Sequence, residues 1–282
     1  MPQTIIDLLN RGIDANNADR FRKANLISLP SKTNLVVAGD IHGHVRNFER
    51  IVAFADLSNN PDRHVILQEI IHGGIKDSYG NCSSYKLLFK AVQHKVQFPD
   101  RVHFLLANHD TAFINNSKVM KEGREMNSSM RQAIEREFEL ASDSILLAIR
   151  QFLFSQPLAV QCENRIWLSH SLPADRFLEL FDVGIFNRKL KINDIVRPGS
   201  AYLLTWGRRH SQRLLNKMAD LLDVDNFILG HQAQKNGWSI PHENLIIIAS
   251  DHNHGCILHI DLSKSYTIEQ LTEAVIPLAS IL

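Results

Sequence analysis

Cysteine is scarce in this 282-residue chain: Cys82, Cys162 and Cys256 are the whole supply. An odd, widely spaced set implies no disulfide framework and no cysteine-ligated metal site, and fits a reducing compartment. Charge of one sign is missing as well. With 31 basic and 30 acidic residues the formal net charge is +1, so no basic field argues for nucleic acid and no acidic tail for a chaperone-like role. Long apolar runs are also absent. No charge-free window reaches membrane-spanning length, and the opening Met1-Pro2-Gln3-Thr4-Ile5-Ile6 has no basic segment ahead of an apolar stretch. The expectation is a cytoplasmic protein, neither secreted nor membrane-spanning. There is no internal repeat or low-complexity linker. At 44% hydrophobic and 22% charged residues, one domain over residues 1–282 with a well-buried core is expected.

What the chain does have is a repeated grammar in which an apolar run ends in a metal-ligand type. Leu35-Val36-Val37-Ala38 leads into Gly39-Asp40-Ile41-His42-Gly43-His44. Alternate residues of an extended chain share a face, so Asp40 and His42 point the same way, and the flanking glycines permit a sharp turn. Val102–Ala107 leads into Asn108-His109-Asp110, Arg165–Ser169 into His170, and Asn226–Leu229 into Gly230-His231-Gln232. Glu69 follows the strand Val65-Ile66-Leu67 in the same manner. In open α/β sheets, sites form beyond the carboxyl ends of strands, where all of these fall. Taken singly, each motif reads equally as a polar turn, a helix cap or a satisfied buried histidine. Independent turns have no reason to repeat one order, and together they read as a metal site.

In that order the chain resembles a calcineurin-like metallophosphoesterase, over about Leu35 to Leu262. Gly230-His231-Gln232-Ala233 makes it most similar to the serine/threonine phosphoprotein phosphatase branch, because many phosphodiesterase branches carry a second histidine where Ala233 stands. The resemblance implies a four-layer α/β/β/α fold, a two-sheet sandwich flanked by helices. It also implies two metal ions: Asp40 and His42 on the first, Asn108, His170 and His231 on the second, and Glu69 at the bridging carboxylate. His109 matches the catalytic imidazole. One motif departs. Where the family has Gly-Asp-x-x-Asp-Arg-Gly, this chain has Gln68-Glu69-Ile70-Ile71-His72-Gly73-Gly74, so His72 replaces the aspartate that orients the catalytic histidine and Gly73 replaces a phosphate-binding arginine.

The chemistry expected is phosphate-ester hydrolysis by a metal-activated water, since two ions roughly 3.5–4 Å apart can activate water and clamp phosphoryl oxygens. Mixed imidazole, carboxylate and amide ligands favour Mn or Fe, with Zn as the third choice. His109 can protonate the departing oxygen. Arg208 and Arg209, in Thr205-Trp206-Gly207-Arg208-Arg209-His210, are the candidate phosphate clamp, and the competing reading is an ordinary exposed basic pair. Asp110 and His254 are the candidates for supporting the ligands from behind; His254, like His252, reads equally as a surface-loop residue. The partner is expected to be a phosphoprotein or a small phosphate ester. Alternatives are a nucleotide or dinucleoside polyphosphate hydrolase, and a metal-containing protein that binds a phosphorylated ligand without turnover. Retention of His109 argues against the last.

Strand and helix alternate through about Leu106, with helices near Val45–Ala55 and Ser84–Val96, the pattern of a partly parallel sheet. A short amphipathic helix is expected at the start, with Ile5, Ile6, Leu8 and Leu9 on its apolar side. Asn127–Phe154 reads as one long helical region, with Met130, Ile134, Phe138, Leu140, Ile145 and Ile149 at helical spacing. Residues from about 111 to 155 are expected to form a cap over the cleft. Later strands are expected at Arg165–Ser169, Asn226–Gly230, Leu245–Ala249 and Cys256–Asp261.

Overall fold

The computed structural model describes residues 2–121 and 123–282. Its centre is a pair of facing sheets. One has five strands in the order Val275–Pro277, Cys256–Asp261, Asn34–Asp40, Arg63–Gln68, Val102–Leu105; the last three run parallel, Cys256–Asp261 pairs antiparallel with Asn34–Asp40, and Val275–Pro277 pairs antiparallel with Cys256–Asp261. The other has seven, in the order Arg22–Lys23, Leu26–Leu29, Ala159–Cys162, Ile166–Ser169, Asn226–Leu229, Leu245–Ile248, Trp238–His242. Its Ile166–Ser169, Asn226–Leu229 and Leu245–Ile248 strands are parallel.

The period-2 alternation of the strands sorts side chains into layers. Leu35, Val37 and Ile66 face inward and meet Leu168, Ile228, Ile246 and Leu258 between the sheets. Val36, Ala38, Val65 and Phe104 face outward and are covered by helices that include Val45–Ala55, Tyr85–Gln97 and Ser142–Phe154. On the far side Trp167, Phe227, Leu229 and Ile247 are covered by Ser200–Trp206 and Gln212–Leu222. The result is the expected helix, sheet, sheet, helix sandwich.

Two local expectations change. The opening helix runs over Pro2–Asn17 and packs on both Tyr85–Gln97 and Ser142–Phe154. The single helix expected over Asn127–Phe154 is two, Met126–Phe138 and Ser142–Phe154, joined by a 3-10 turn at Glu139–Ala141. Glu139 takes a left-handed φ of 46° there, which ends the first helix, and Leu140 points wholly into solvent because it belongs to the turn and not to an apolar helix face. Of the segment expected as a cap, these two helices bury Met130, Ile134, Ile145 and Phe152 in the outer core. The hairpin of Met120–Lys121 and Arg124–Glu125 lies between the Asn108–Asn115 helix and the first of them.

The backbones of the two sheets are bridged at the site end of their strands. Asp40 bridges to Ala249 of the opposite sheet's Leu245 strand region, and Ser250 N donates to Asp40 O at 3.0 Å. A Cβ at residue 39 would lie 2.1 Å from Ile248 O. Only glycine allows that approach.

Candidate metal centre

All six expected ligand residues stand around this contact. Asp40 ends the first strand, Glu69 follows Gln68 at the end of its neighbour, and Asn108 opens the helix Asn108–Asn115 just past the third. From the other sheet come His170, after Ser169, and His231, after Leu229 and Gly230. A Cβ on Gly230 would sit 2.4 Å from Asp40 Oδ1 and 2.7 Å from Gln68 Oε1 and would displace both side chains. Four non-glycine residues here occupy the left-handed region: His42 (φ 44°), Glu69 (48°), His72 (68°) and His231 (67°). Such conformations cost about 1–3 kcal/mol each and concentrate where surrounding structure over-determines a functional geometry.

Hydrogen bonds decide which ring nitrogen carries the proton. His42 Nδ1 is 3.1 Å from Ile71 O, and a carbonyl only accepts, so Nδ1 is the N–H and Nε2 carries the lone pair. That Nε2 lies 4.0 Å from Asp40 Oδ2. Gln68 Nε2 donates to Ala38 O at 3.0 Å, which turns its Oε1 to accept from His170 Nδ1 at 2.9 Å. His170 Nε2 is thereby left with a lone pair, 2.8 Å from Asn108 Oδ1 and 3.0 Å from Glu69 Oε2. Three lone-pair atoms converge there. His231 Nδ1 approaches the same Asn108 oxygen at 3.0 Å, and its buried Nε2 has no hydrogen-bond partner.

Burial controls the charges. It raises Asp40 to about 6 and raises Glu69, while it lowers His170 to about 4 and pushes His42, His72 and His231 well below the ordinary histidine range. The imidazoles are therefore neutral lone-pair donors at neutral pH, the form a metal needs. Only something positive can sit among His170 Nε2, Asn108 Oδ1 and Glu69 Oε2. A cation fits that position, and burial raises the pKa of Glu69 in the same place. Ligand atoms of Glu69, His170 and His231 lie within 4.8 Å of one another, as do those of His42, Glu69 and His109, so Glu69 is common to two groups able to hold an ion. Neutral imidazoles, two carboxylates and an amide oxygen fit a pair of transition-metal ions.

His109 sits on the first turn of the Asn108 helix, its backbone N–H donating to Glu69 Oε1 at 3.0 Å. Its Nδ1 is 3.1 Å from Nδ1 of His72, which is wholly buried and whose Nε2 has no partner. Burial lowers His109 as well. Asp110 turns back to accept from Ala107 N at 3.0 Å and so caps its own helix; burial raises its pKa well above the usual carboxyl range.

The other expected residues divide. Arg208 Nη1 donates to His231 O at 3.2 Å, which brings a guanidinium to the rim of the centre. Arg209 is exposed in a left-handed conformation and lines the cleft beyond it. His254 corrects the expectation of a supporting role: it is exposed, and its bond is from its own N–H to His252 Nδ1. His252 in turn uses Nε2 on Gln234 O at 2.8 Å. Two residues went unnoticed. Gln68 orients His170. Lys121, on the hairpin, reaches 3.9 Å from Asp251, next to the Ser250 that bonds Asp40, and its charge acts on His42, His72, His109 and Glu69. Gln68 acts on His170 and Lys121 meets Asp251, partners more than a hundred residues away in the chain, so no local motif marked either role.

Comparisons with known proteins bear on the fold and the family. The fold is similar to that of a protein serine/threonine phosphatase from Saccharomyces cerevisiae with similarity to human phosphatase PP5, with a TM-score of 0.69 at 15% identity over 92% of this chain and 82% of that one. It is also similar to a cold-active protein-tyrosine phosphatase of a psychrophilic Shewanella species, with a TM-score of 0.59 at 14% identity over 84% of this chain and 77% of the other. Among curated proteins no sequence matches. The profile of the calcineurin-like phosphoesterases matches residues 33–253, a span that holds every ligand candidate from Asp40 to His231, and the chain belongs to that family.

Proposed function

We propose that the protein is a metal-dependent phosphatase that removes a terminal phosphate group, with Asp40, His42, Glu69, Asn108, His170 and His231 holding two ions. The observation that carries this reading is the approach of both Asn108 Oδ1, at 2.8 Å, and Glu69 Oε2, at 3.0 Å, to His170 Nε2. Such a set is at rest only around positive charge. Manganese or iron, and next zinc, suit these ligands, and when bound they supply an acidified water and a clamp on the phosphoryl oxygens.

The protein's own groups do the remaining work. Ile71 O and Gln68 Oε1 fix the tautomers of His42 and His170, as carboxylates or carbonyls behind ligating histidines generally do. Arg208 offers a guanidinium fork to a phosphoryl oxygen, and Arg209 is the less direct candidate for the same task. Lys121 stands in for the positive charge that Gly73 lacks. His109 delivers a proton to the departing oxygen, and His72 holds its ring.

The leaving group tests the assignment. An alkyl alkoxide needs a proton whereas p-nitrophenolate leaves largely unaided, so His109→Asn should cost at least tenfold more with an alkyl phosphate than with p-nitrophenyl phosphate, at unchanged metal content. Equal losses on both substrates would make His109 a binding group, and lost metal would make it a ligand.

A further inference from the structure

Beyond Arg208 the surface opens into a cleft of about 530 Å³, lined among others by Arg176, Arg197, Arg208 and Arg209 and by the rings of Phe177, Tyr202 and Trp206. That volume is of the size small-ligand sites have. The charge in it is unbalanced. Among the described residues none of the four arginines has a carboxylate within ion-pair distance, and the one acidic residue in the lining, Asp175, is taken up by the backbone N–H and hydroxyl of Ser211. In a chain whose overall net charge is +1, four unopposed guanidinium groups around one cleft are a local excess.

The aromatic groups are organised too. Arg176 and Arg197 both lie over the Phe177 ring, at 4.7 and 5.3 Å from its centroid. Tyr202 and Trp206 stack at 5.5 Å with planes 17° apart, and Trp206 Nε1 donates to Thr111 Oγ1 on the helix that carries Asn108. The cleft wall is thus tied to the ligand helix at one end, and through Arg208 to His231 O at the other.

We infer that this cleft seats the part of the substrate that stays behind after hydrolysis, and that this part is a nucleotide: a phosphate-bearing group with a planar ring. Guanidinium forks match phosphate oxygens in a bidentate way, and flat aromatic faces accept a base. Acidic peptide side chains would use the arginines but have no call on the rings. The inference rests on the phosphatase reading and narrows its leaving group. Water's oxygen bonds to the terminal phosphorus, the bridging P–O bond breaks with its electron pair going to the nucleotide's oxygen, and one proton of the water is released; no oxidant or reductant is involved.

The test uses ADP as probe and a variant carrying Arg176→Ala and Arg197→Ala. Calorimetric titration should show ADP binding to the wild type, and a dissociation constant at least tenfold weaker in the double variant. Its kcat/KM on p-nitrophenyl phosphate should stay within twofold, which also reports that it is folded; the single Arg176→Ala variant should fall between. ADP that fails to bind the wild type, or that binds the variant equally well, overturns the inference. So does a loss confined to an acidic phosphopeptide, which would make the occupant a protein. If p-nitrophenyl phosphate is never hydrolysed by the Mn-loaded wild type while ADP binding still depends on the two arginines, the phosphatase reading fails and the nucleotide site stands.

Discussion

Nδ1 of His72 and Nδ1 of His109 face each other at 3.1 Å, so a single proton serves two imidazoles. His72 Nε2 is buried without a partner, and an orphaned lone pair costs less than an orphaned N–H. The favoured arrangement therefore has His72 donating through Nδ1, with the His109 proton on Nε2. A carboxylate in place of His72 would stabilise the protonated form of His109. His72→Asp should accordingly move the basic limb of the pH–rate profile for an alkyl phosphate upward by about one unit or more, with little change for p-nitrophenyl phosphate. An unmoved limb would show that His72 does not act on His109.

Gln68 is predicted to be a positioning residue. With Gln68→Ala, His170 loses the acceptor that fixes Nδ1 as its N–H, and losses of that kind cost about 10–100-fold in metal affinity or activity. Metal titration should show one of two sites weakened while the other is kept. Equal weakening of both sites, or of neither, would contradict the role.

Metal binding should be a proton exchange. Asp40 is raised to about 6 and Glu69 is raised as well, burial being the main cause for both, so each must give up its proton to ligate. Below about pH 6 the apparent affinity should fall with each pH unit, and a weakly buffered titration with Mn should release protons. Binding without proton release at pH 6 would sink this account.

Far from the centre, Asp19 Oδ2 accepts from Lys95 Nζ at 3.1 Å and from His103 Nδ1 at 2.9 Å, all three side chains being buried. His103 Nε2 then meets His64 Nδ1 at 2.9 Å. Removing one partner of a buried pair costs about 3–5 kcal/mol, so Lys95→Met should lower the melting temperature sharply without touching metal content. Asp19 is held below the usual carboxylate range even though burial pushes the other way, because His103 and Lys95 outweigh it. Burial also lowers His64 to about 3. Both folded values are depressed, so the unfolded chain takes up more protons on acidification. Stability should decline as pH falls below about 6.5, first through His64 and then, below about 4, through Asp19. A melting temperature flat from pH 7 to 4 would refute it.

The strands that end in candidate ligands were legible because each combines an apolar run with an abrupt polar end, and burial on both faces of a central strand demands that run. Cys256–Asp261 and Val45–Ala55 appear with the bounds read from the sequence. Leu26–Leu29, Ala159–Cys162 and Val275–Pro277 were missed, being short segments whose strand character comes from pairing with remote partners. The reading of one helix through Leu140 failed because periodicity continues across a turn that a single left-handed residue creates. The site shows the same division. Ligand types announce themselves by chemistry, whereas Gln68 and Lys121 acquire meaning only from what folding brings beside them. His254 carried the right chemistry in a loop that folding leaves outside.

The three cysteines are buried and unpaired, so no disulfide fastens the two sheets, yet the candidate ligands are divided between them. Glu69 and Asn108 come from the five-stranded sheet, His170 and His231 from the seven-stranded one. An ion shared by these four would be a removable cross-link between layers, closing a loop of about a hundred residues much as a disulfide closes one. Chelation would then act as reduction does on a disulfide-bonded domain, loosening the seam at Asp40 and Ala249 before the cores on either side give way.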